Sequence, residues 1–224
     1  MHMEAPSTSG SQLVAGPAGA LEVMFDLPSA APVGIVVVTH PQPLLGGHAQ
    51  HKVPQLLARA LCEAGWLVAR PNFRGVGRSA GVHDLGQGET EDVYALCTAL
   101  RASYPHKRLA LVGFSFGAYV QARVARALSE AGVPAWRVGL AGIPFGTVES
   151  GRKYDTPDGL ADALVVQGER DRGAAVSCLR LGAAQQATRR CRSGRRPLLH
   201  RQATRAAPTH ASTSVRLSRR LRQS

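Results

Sequence analysis

From Arg172 to Ser224 the chain has no aspartate, no glutamate and no lysine, yet it holds 13 arginines. Residues 1–171 hold 14 Lys and Arg against 15 Asp and Glu, so the formal net charge of +12 belongs wholly to the last quarter of the chain. A basic folded surface for nucleic acid is thereby excluded; only the tail could contact phosphates. The tail also lacks any Phe, Tyr or Trp to stack on bases, which limits it to non-specific phosphate contact. No apolar run approaches the ~20 residues of a membrane-spanning helix. The four cysteines, Cys62, Cys97, Cys178 and Cys191, have no metal-like spacing. Cys62 and Cys97 fall within helical patterns, which favours buried thiols over disulfides. Met1 to Thr8 carries neither the basic nor the apolar region of a secretory signal, so the cytoplasm is the expected compartment. Nothing in the chain signals a cofactor or a metal.

What is present is a series of strands alternating with helices. Residues 1–12 are small and polar and read as a disordered N-terminus. Gly16-Pro17-Ala18-Gly19 reads as a turn, and Leu21–Leu27 as an edge strand stopped by Pro28. Val33–Thr39 is an almost unbroken β-branched run, which marks a strand buried on both faces of a parallel sheet. A loop of His40-Pro41-Gln42-Pro43-Leu44-Leu45-Gly46-Gly47 follows at that strand's carboxyl end, where open α/β sheets bind ligands. Residues 52–64 make an amphipathic helix with Val53, Leu56, Leu57, Ala60 and Leu61 on one face. Trp66–Ala69 is a short buried strand. Pro71–Ser79 is a glycine-rich turn without phosphate-loop spacing, in which Arg74 is placed to pair with a carboxylate. Residues 89–101 form a helix with acids in its first turn, as the macrodipole favours. A weaker strand follows at Arg137–Ile143, the loop from Pro144 to Asp162 shows no distinctive chemistry, and Ala163–Gln167 is a last clear strand. The architecture expected is α/β, a doubly wound and mostly parallel sheet.

Within this order, Leu109–Val112 leads into Gly113-Phe114-Ser115-Phe116-Gly117, and a helical pattern runs on to about Ala131. Strand, G-x-S-x-G, helix is the context of a nucleophile elbow. A sharp turn there projects the serine hydroxyl above the sheet, and flanking glycines let strand and helix pass closely.

The chain resembles the α/β-hydrolases, and within them the small bacterial hydrolases near the dienelactone-hydrolase, serine-aminopeptidase and Xaa-Pro-peptidase-like domains. The resemblance rests on His40–Gly47, Asn72–Ser79, Gly113–Ala118 and Gln167-Gly168-Glu169-Arg170-Asp171, and it covers residues 13 to 171 in unbroken order. It implies Ser115 as nucleophile and Asp171 as triad acid, in the order Ser, Asp, His. It implies an oxyanion hole from the backbone N–H of Phe116 and of Gln42; between Pro41 and Pro43, only Gln42 has an N–H to give. A small-molecule ester, thioester, lactone or amide is the substrate class implied, with a non-catalytic binding protein as the competing class. Oligomeric state is not legible.

No histidine fits the base. His40 belongs to the oxyanion loop, His48 and His51 flank a helix start, His83 and His106 lie in loops, and His2 sits in the polar N-terminus. His200 and His210 follow Asp171, as the order requires, but sit in Arg-rich sequence with no strand before them. Residues 172–224 therefore read as a frame-shifted version of the family's C-terminus, leaving the domain incomplete and short of its histidine. Codons can be chosen for Arg196-Pro197-Leu198-Leu199 such that a one-base shift yields Asp-His-Phe-Phe, a His-bearing loop. A genuine disordered basic extension is the alternative.

Overall fold

The β-branched run after Val33 forms the central strand, because its side chains alternate between two covered faces. A computed structural model describes residues 3–148, 151–160, 163–168 and 189–191. In it, β3 (Gly34–Thr39) is buried at all six positions. Ile35 and Val37 enter the larger core, with Leu96, Leu100, Leu111, Val120 and Val124 of the elements described below. Val36 and Val38 enter a smaller core on the other face, with Ala58, Val68 and Ala110. Burial on both faces is what a parallel strand flanked by helices requires.

Strands β1 (Gly10–Gly16), β2 (Gly19–Asp26), β4 (Trp66–Pro71), β5 (Arg108–Phe114), β6 (Arg137–Ala141), β9 (Ala163–Gly168) and β10 (Arg189–Cys191) join β3 in one sheet. The order is β1-β2-β4-β3-β5-β6-β9-β10. β1 and β2 form an antiparallel hairpin, and β2 runs antiparallel to β4; the ladders from β4 through to β10 are parallel. A second, two-stranded sheet pairs β7 (Gly146–Thr147) with β8 (Lys153–Tyr154). The helices are α1 (Lys52–Glu63), α2 (Gln87–Ser103) and α3 (Phe116–Glu130). The chain leaves β3 toward β4 on one side and returns to β5 on the other. That reversal puts a crevice above the carboxyl ends of β3 and β5, the usual ligand position in such sheets.

Four expectations change. Residues 3–12 are not a disordered lead: Gly10–Gly16 is a strand, Met3 is buried, and the Ser103 hydroxyl donates to its carbonyl oxygen. β2 is consequently not an edge strand, since β1 pairs along its outer side from Gly10↔Phe25 to Gly16↔Gly19. On α1 the inward face is Pro54, Leu57, Ala58 and Leu61, whereas Leu56 is 65% exposed. The alternative face was equally apolar in sequence, and only docking on β3 and β4 selects between them. Beyond Asp171, where no periodicity was legible, Arg189–Cys191 pairs in parallel with Val166–Gly168. An open sheet edge can recruit a strand through backbone hydrogen bonds alone, without a side-chain pattern. Cys97 is buried, and burial pushes its thiol up to about 12, while Cys62 is half-buried.

Candidate active site

Ser115 occupies a backbone conformation that side chains rarely take, φ 55° and ψ −122°. Holding a non-glycine residue there costs about 1–3 kcal/mol, which the surrounding structure must impose. The constraint is visible on both sides. The Ser115 N–H donates to the Ala141 carbonyl at the end of β6 (2.8 Å), and the Ser115 carbonyl accepts from Ala118 and Tyr119 in the first turn of α3. Ser115 is thus the N-cap of α3, yet its hydroxyl makes no capping hydrogen bond. Serine at this position ordinarily caps through its side chain. Here the hydroxyl, on a half-exposed residue, bonds to no described residue.

The two glycines are required by contact. A Cβ on Gly113 would overlap the Gly117 carbonyl and lie 2.6 Å from the Ala118 nitrogen; one on Gly117 would lie 2.5 Å from the carbonyl oxygens of Thr39 and His40. The start of α3 therefore presses directly on the end of β3. Thr39 Oγ1 donates to the Gly117 carbonyl at 2.9 Å, and Gln121 Nε2 donates to the Val37 carbonyl at 3.0 Å, which bolts helix to strand.

The loop after β3 is wound around Gln42, whose carbonyl accepts from Leu45 (3.1 Å) and Gly47 (3.0 Å). Gln42 is 4% exposed. Its backbone N–H, like that of Phe116, donates to no described residue. His40 anchors the loop. Its Nδ1 lies 2.8 Å from the Pro41 carbonyl, and its Nε2 accepts from the Phe73 N–H at 3.0 Å. This pairing assigns the proton to Nδ1. Both nitrogens are spent, so His40 is a brace and not a base. Burial lowers its pKa to about 3; the Pro41 contact opposes the shift, and His48 and His51 reinforce it.

The loop after β4 is cross-braced to the same crevice. Asn72 Oδ1 accepts from Ala49, and its Nδ2 donates to Glu22 at 2.8 Å. Arg74 does pair with a carboxylate, in a bidentate contact with buried Asp92 at 2.8 and 2.9 Å. Glu22 is buried, which by itself raises its pKa. Hydrogen bonds from the Arg78 N–H and guanidinium, from Asn72 and from Ser11 outweigh this and bring it to about 2. Buried Glu89 accepts from the Asp84 and Gly86 N–H groups, and its Oε1 lies 2.7 Å from His83 Nδ1.

These two shifts have one sign. His40 is neutral in the fold, but the unfolded chain gains a proton below its ordinary 6.5. Glu22 is ionised in the fold, but the unfolded chain gains a proton below 4.5. Stability is present above those values and is lost on acidification, from about pH 6.5 toward 3 for His40 and from 4.5 toward 2 for Glu22. Each group contributes a slope of up to about 1.4 kcal/mol per pH unit within its window. His40→Gln keeps a donor and an acceptor but does not titrate. Urea unfolding at stepped pH should show that this variant loses the slope between pH 6.5 and 4.5 and keeps only the Glu22 contribution below. An unchanged upper slope would disprove the role given to His40.

Of the residues singled out from sequence, Ser115 and Phe116 stand at the junction of β5 and α3, and Gln42 lies three residues past the end of β3, the strand paired with β5. Asp171 lies outside the described residues, as do His200 and His210. Sequence reasoning missed Tyr154. Its hydroxyl lies 3.3 Å from Gln42 Nε2, and its ring sits 5.1 Å from that of Tyr119 and 6.4 Å from that of Phe116. An isolated tyrosine in a loop, in a chain with four tyrosines, was the available signal. Among the described residues no group of three or more His, Cys, Asp or Glu could hold a metal, and no helix is long and apolar enough to cross a membrane.

Known proteins are similar to this chain in sequence and fold. The alpha/beta hydrolase fold family matches residues 35–130. XC6422 from Xanthomonas campestris, an α/β serine hydrolase without a lid, is 38% identical, with 75% of this chain and 74% of that one covered and a TM-score of 0.65. An α/β serine hydrolase homologue from Coxiella burnetii is 34% identical over 74% of this chain and 76% of its own, with a TM-score of 0.63. The uncharacterized protein RP471 of Rickettsia prowazekii is 38% identical over 106 residues, and the match spans less than half of that protein's length, 44%. The identity to a serine hydrolase and to a serine hydrolase homologue over about three quarters of their length, on the same fold, places this chain in the α/β-hydrolase superfamily.

Proposed function

We propose that the protein is a serine hydrolase that cleaves a small ester, thioester, lactone or amide through an acyl-Ser115 intermediate. One observation carries the reading: a serine held at φ 55° with its hydroxyl withheld from the helix it caps. Such strain is retained where it serves chemistry. Ser115 Oγ attacks the substrate carbonyl carbon and gives its proton to a base. The carbonyl oxygen becomes an oxyanion, for which the Gln42 and Phe116 N–H groups are the proposed donors. Collapse expels the leaving group, which takes the proton. Water then attacks the acyl-enzyme by the same route, and Ser115 regains its hydrogen. Asp171 is the proposed partner of the base histidine, at the chain position that follows β9.

The base itself is absent from the chain as written in this reading, because residues 172–224 are taken as a shifted reading frame. A serine without a base keeps a weak nucleophile. The test compares this chain with the product of the gene corrected by one base, on a panel of short-chain aryl esters. The corrected product should hydrolyse them at least about a thousandfold faster, the scale of losing a triad member. Codons near residue 197 whose shifted frame encodes no histidine, or robust hydrolysis by the chain as written, defeat the frame-shift reading. A corrected product inert toward every ester, with Ser115 unlabelled by a fluorophosphonate, defeats the hydrolase reading.

A further inference from the structure

Gln42 is the residue proposed to supply one oxyanion N–H, and its side chain carries an unexplained cost. It is 4% exposed, its Oε1 is buried without a described partner, and its Nε2 donates to the Tyr154 hydroxyl. Leaving a buried polar atom unpaired costs about 1–3 kcal/mol, and an apolar residue of similar size would avoid it. Such groups persist where the geometry they impose has a use. Tyr154 comes from a different part of the chain, the β7–β8 hairpin, and is itself 8% exposed. Its ring is clamped by Tyr119 and Phe116, and Phe116 follows the nucleophile. One tyrosine therefore contacts both walls of the proposed oxyanion hole, the Gln42 loop through its hydroxyl and the elbow through its ring.

We propose that Tyr154 is a positioning residue that holds Gln42 at the working distance from the elbow. The ring sets where the hydroxyl sits, and the hydroxyl restrains the Gln42 side chain. The restraint preorganises the Gln42 N–H before any charge develops on the substrate oxygen. The proposal rests on Ser115 being the nucleophile, and its test separates the two.

Tyr154→Phe removes the hydroxyl and keeps the ring packing. In the product of the gene corrected by one base, which carries the general base, capture of Ser115 by a fluorophosphonate, whose phosphoryl oxygen uses the same donors, is followed by mass spectrometry together with the melting temperature. The variant should be captured about tenfold more slowly, within the range for a weakened oxyanion donor. Its melting temperature should fall by no more than about 2 °C, equivalent to under about 1 kcal/mol. In a Gln42→Met background the same change should add less than about twofold, because the two groups act as one. Capture of Tyr154→Phe at the wild-type rate overturns the proposal, as does a full independent effect in the Gln42→Met background. A melting temperature that drops while capture is unchanged assigns Tyr154 to packing alone and also overturns it. A corrected product with Tyr154 intact that is never captured at Ser115 shows the nucleophile reading wrong, and this inference falls with it.

Discussion

Ser115→Ala abolishes covalent capture by a fluorophosphonate and, in the form of the protein that carries a base, lowers ester hydrolysis by about three to six orders of magnitude. The substitution removes the one oxygen that forms the acyl bond, and no neighbouring hydroxyl lies at the same strained turn. It should barely alter the fold. The Ser115 side chain makes no hydrogen bond to a described residue, so nothing structural is lost with it. The backbone bonds to Ala141, Ala118 and Tyr119 do not depend on the side chain. Alanine at φ 55° meets the same Cβ strain as serine. Equal melting temperatures with capture eliminated are thus the expected pair of results. A variant retaining more than about a tenth of the activity would show that another group is the nucleophile.

Gly117→Ala has the opposite signature: large on stability, and on activity only through it. In an ordinary helix interior the exchange of glycine for alanine stabilises by about 0.5–1 kcal/mol. At Gly117 the sign reverses, because the new Cβ would lie 2.5 Å from two backbone carbonyl oxygens on β3 and its exit. Backbone cannot swing aside as a side-chain tip can, so strand and helix must separate. The Thr39–Gly117 and Gln121–Val37 bonds then stretch together. A loss of about 3 kcal/mol or more is expected, at the upper end of what overpacking costs. Gly132→Ala is the control. It meets open space but stands at φ 74°, and it should cost about 1–2 kcal/mol for the left-handed backbone alone. Chemical denaturation of both variants decides the matter. Equal losses would mean that the elbow can relax and that Gly117 is not constrained by β3.

Some of the site was legible in the chain and some was not, and the division has physical grounds. The elbow is a local object. A β-branched or apolar run, a serine between glycines and a helical period are all encoded within about twenty residues, and the structure has β5 and α3 where the pattern put them. Arg74 read as a carboxylate partner because a guanidinium in a tight glycine turn needs one, though Asp92 could not be named. The break after Asp171 was marked by composition, by the loss of periodicity and by the end of the resemblance, none of which reveals what backbone such residues can pair with. The loop from Pro144 to Asp162 read as chemically empty, because Tyr154 acquires meaning only from Gln42, 112 residues earlier.

By itself, then, the amino-acid order determined the alternation of strands and helices, the parallel core strand at 34–39 and the strained serine turn, because each follows from side-chain period and glycine placement within a short window. Only the tertiary structure decided that β1 shields β2, that α1 turns Leu57 and not Leu56 inward, that His40 is spent as a brace, and that Tyr154 meets Gln42. Those outcomes depend on which distant surfaces the sheet brings together. A residue's neighbours across strands are set by topology and register, and neither is written in the residues on either side of it.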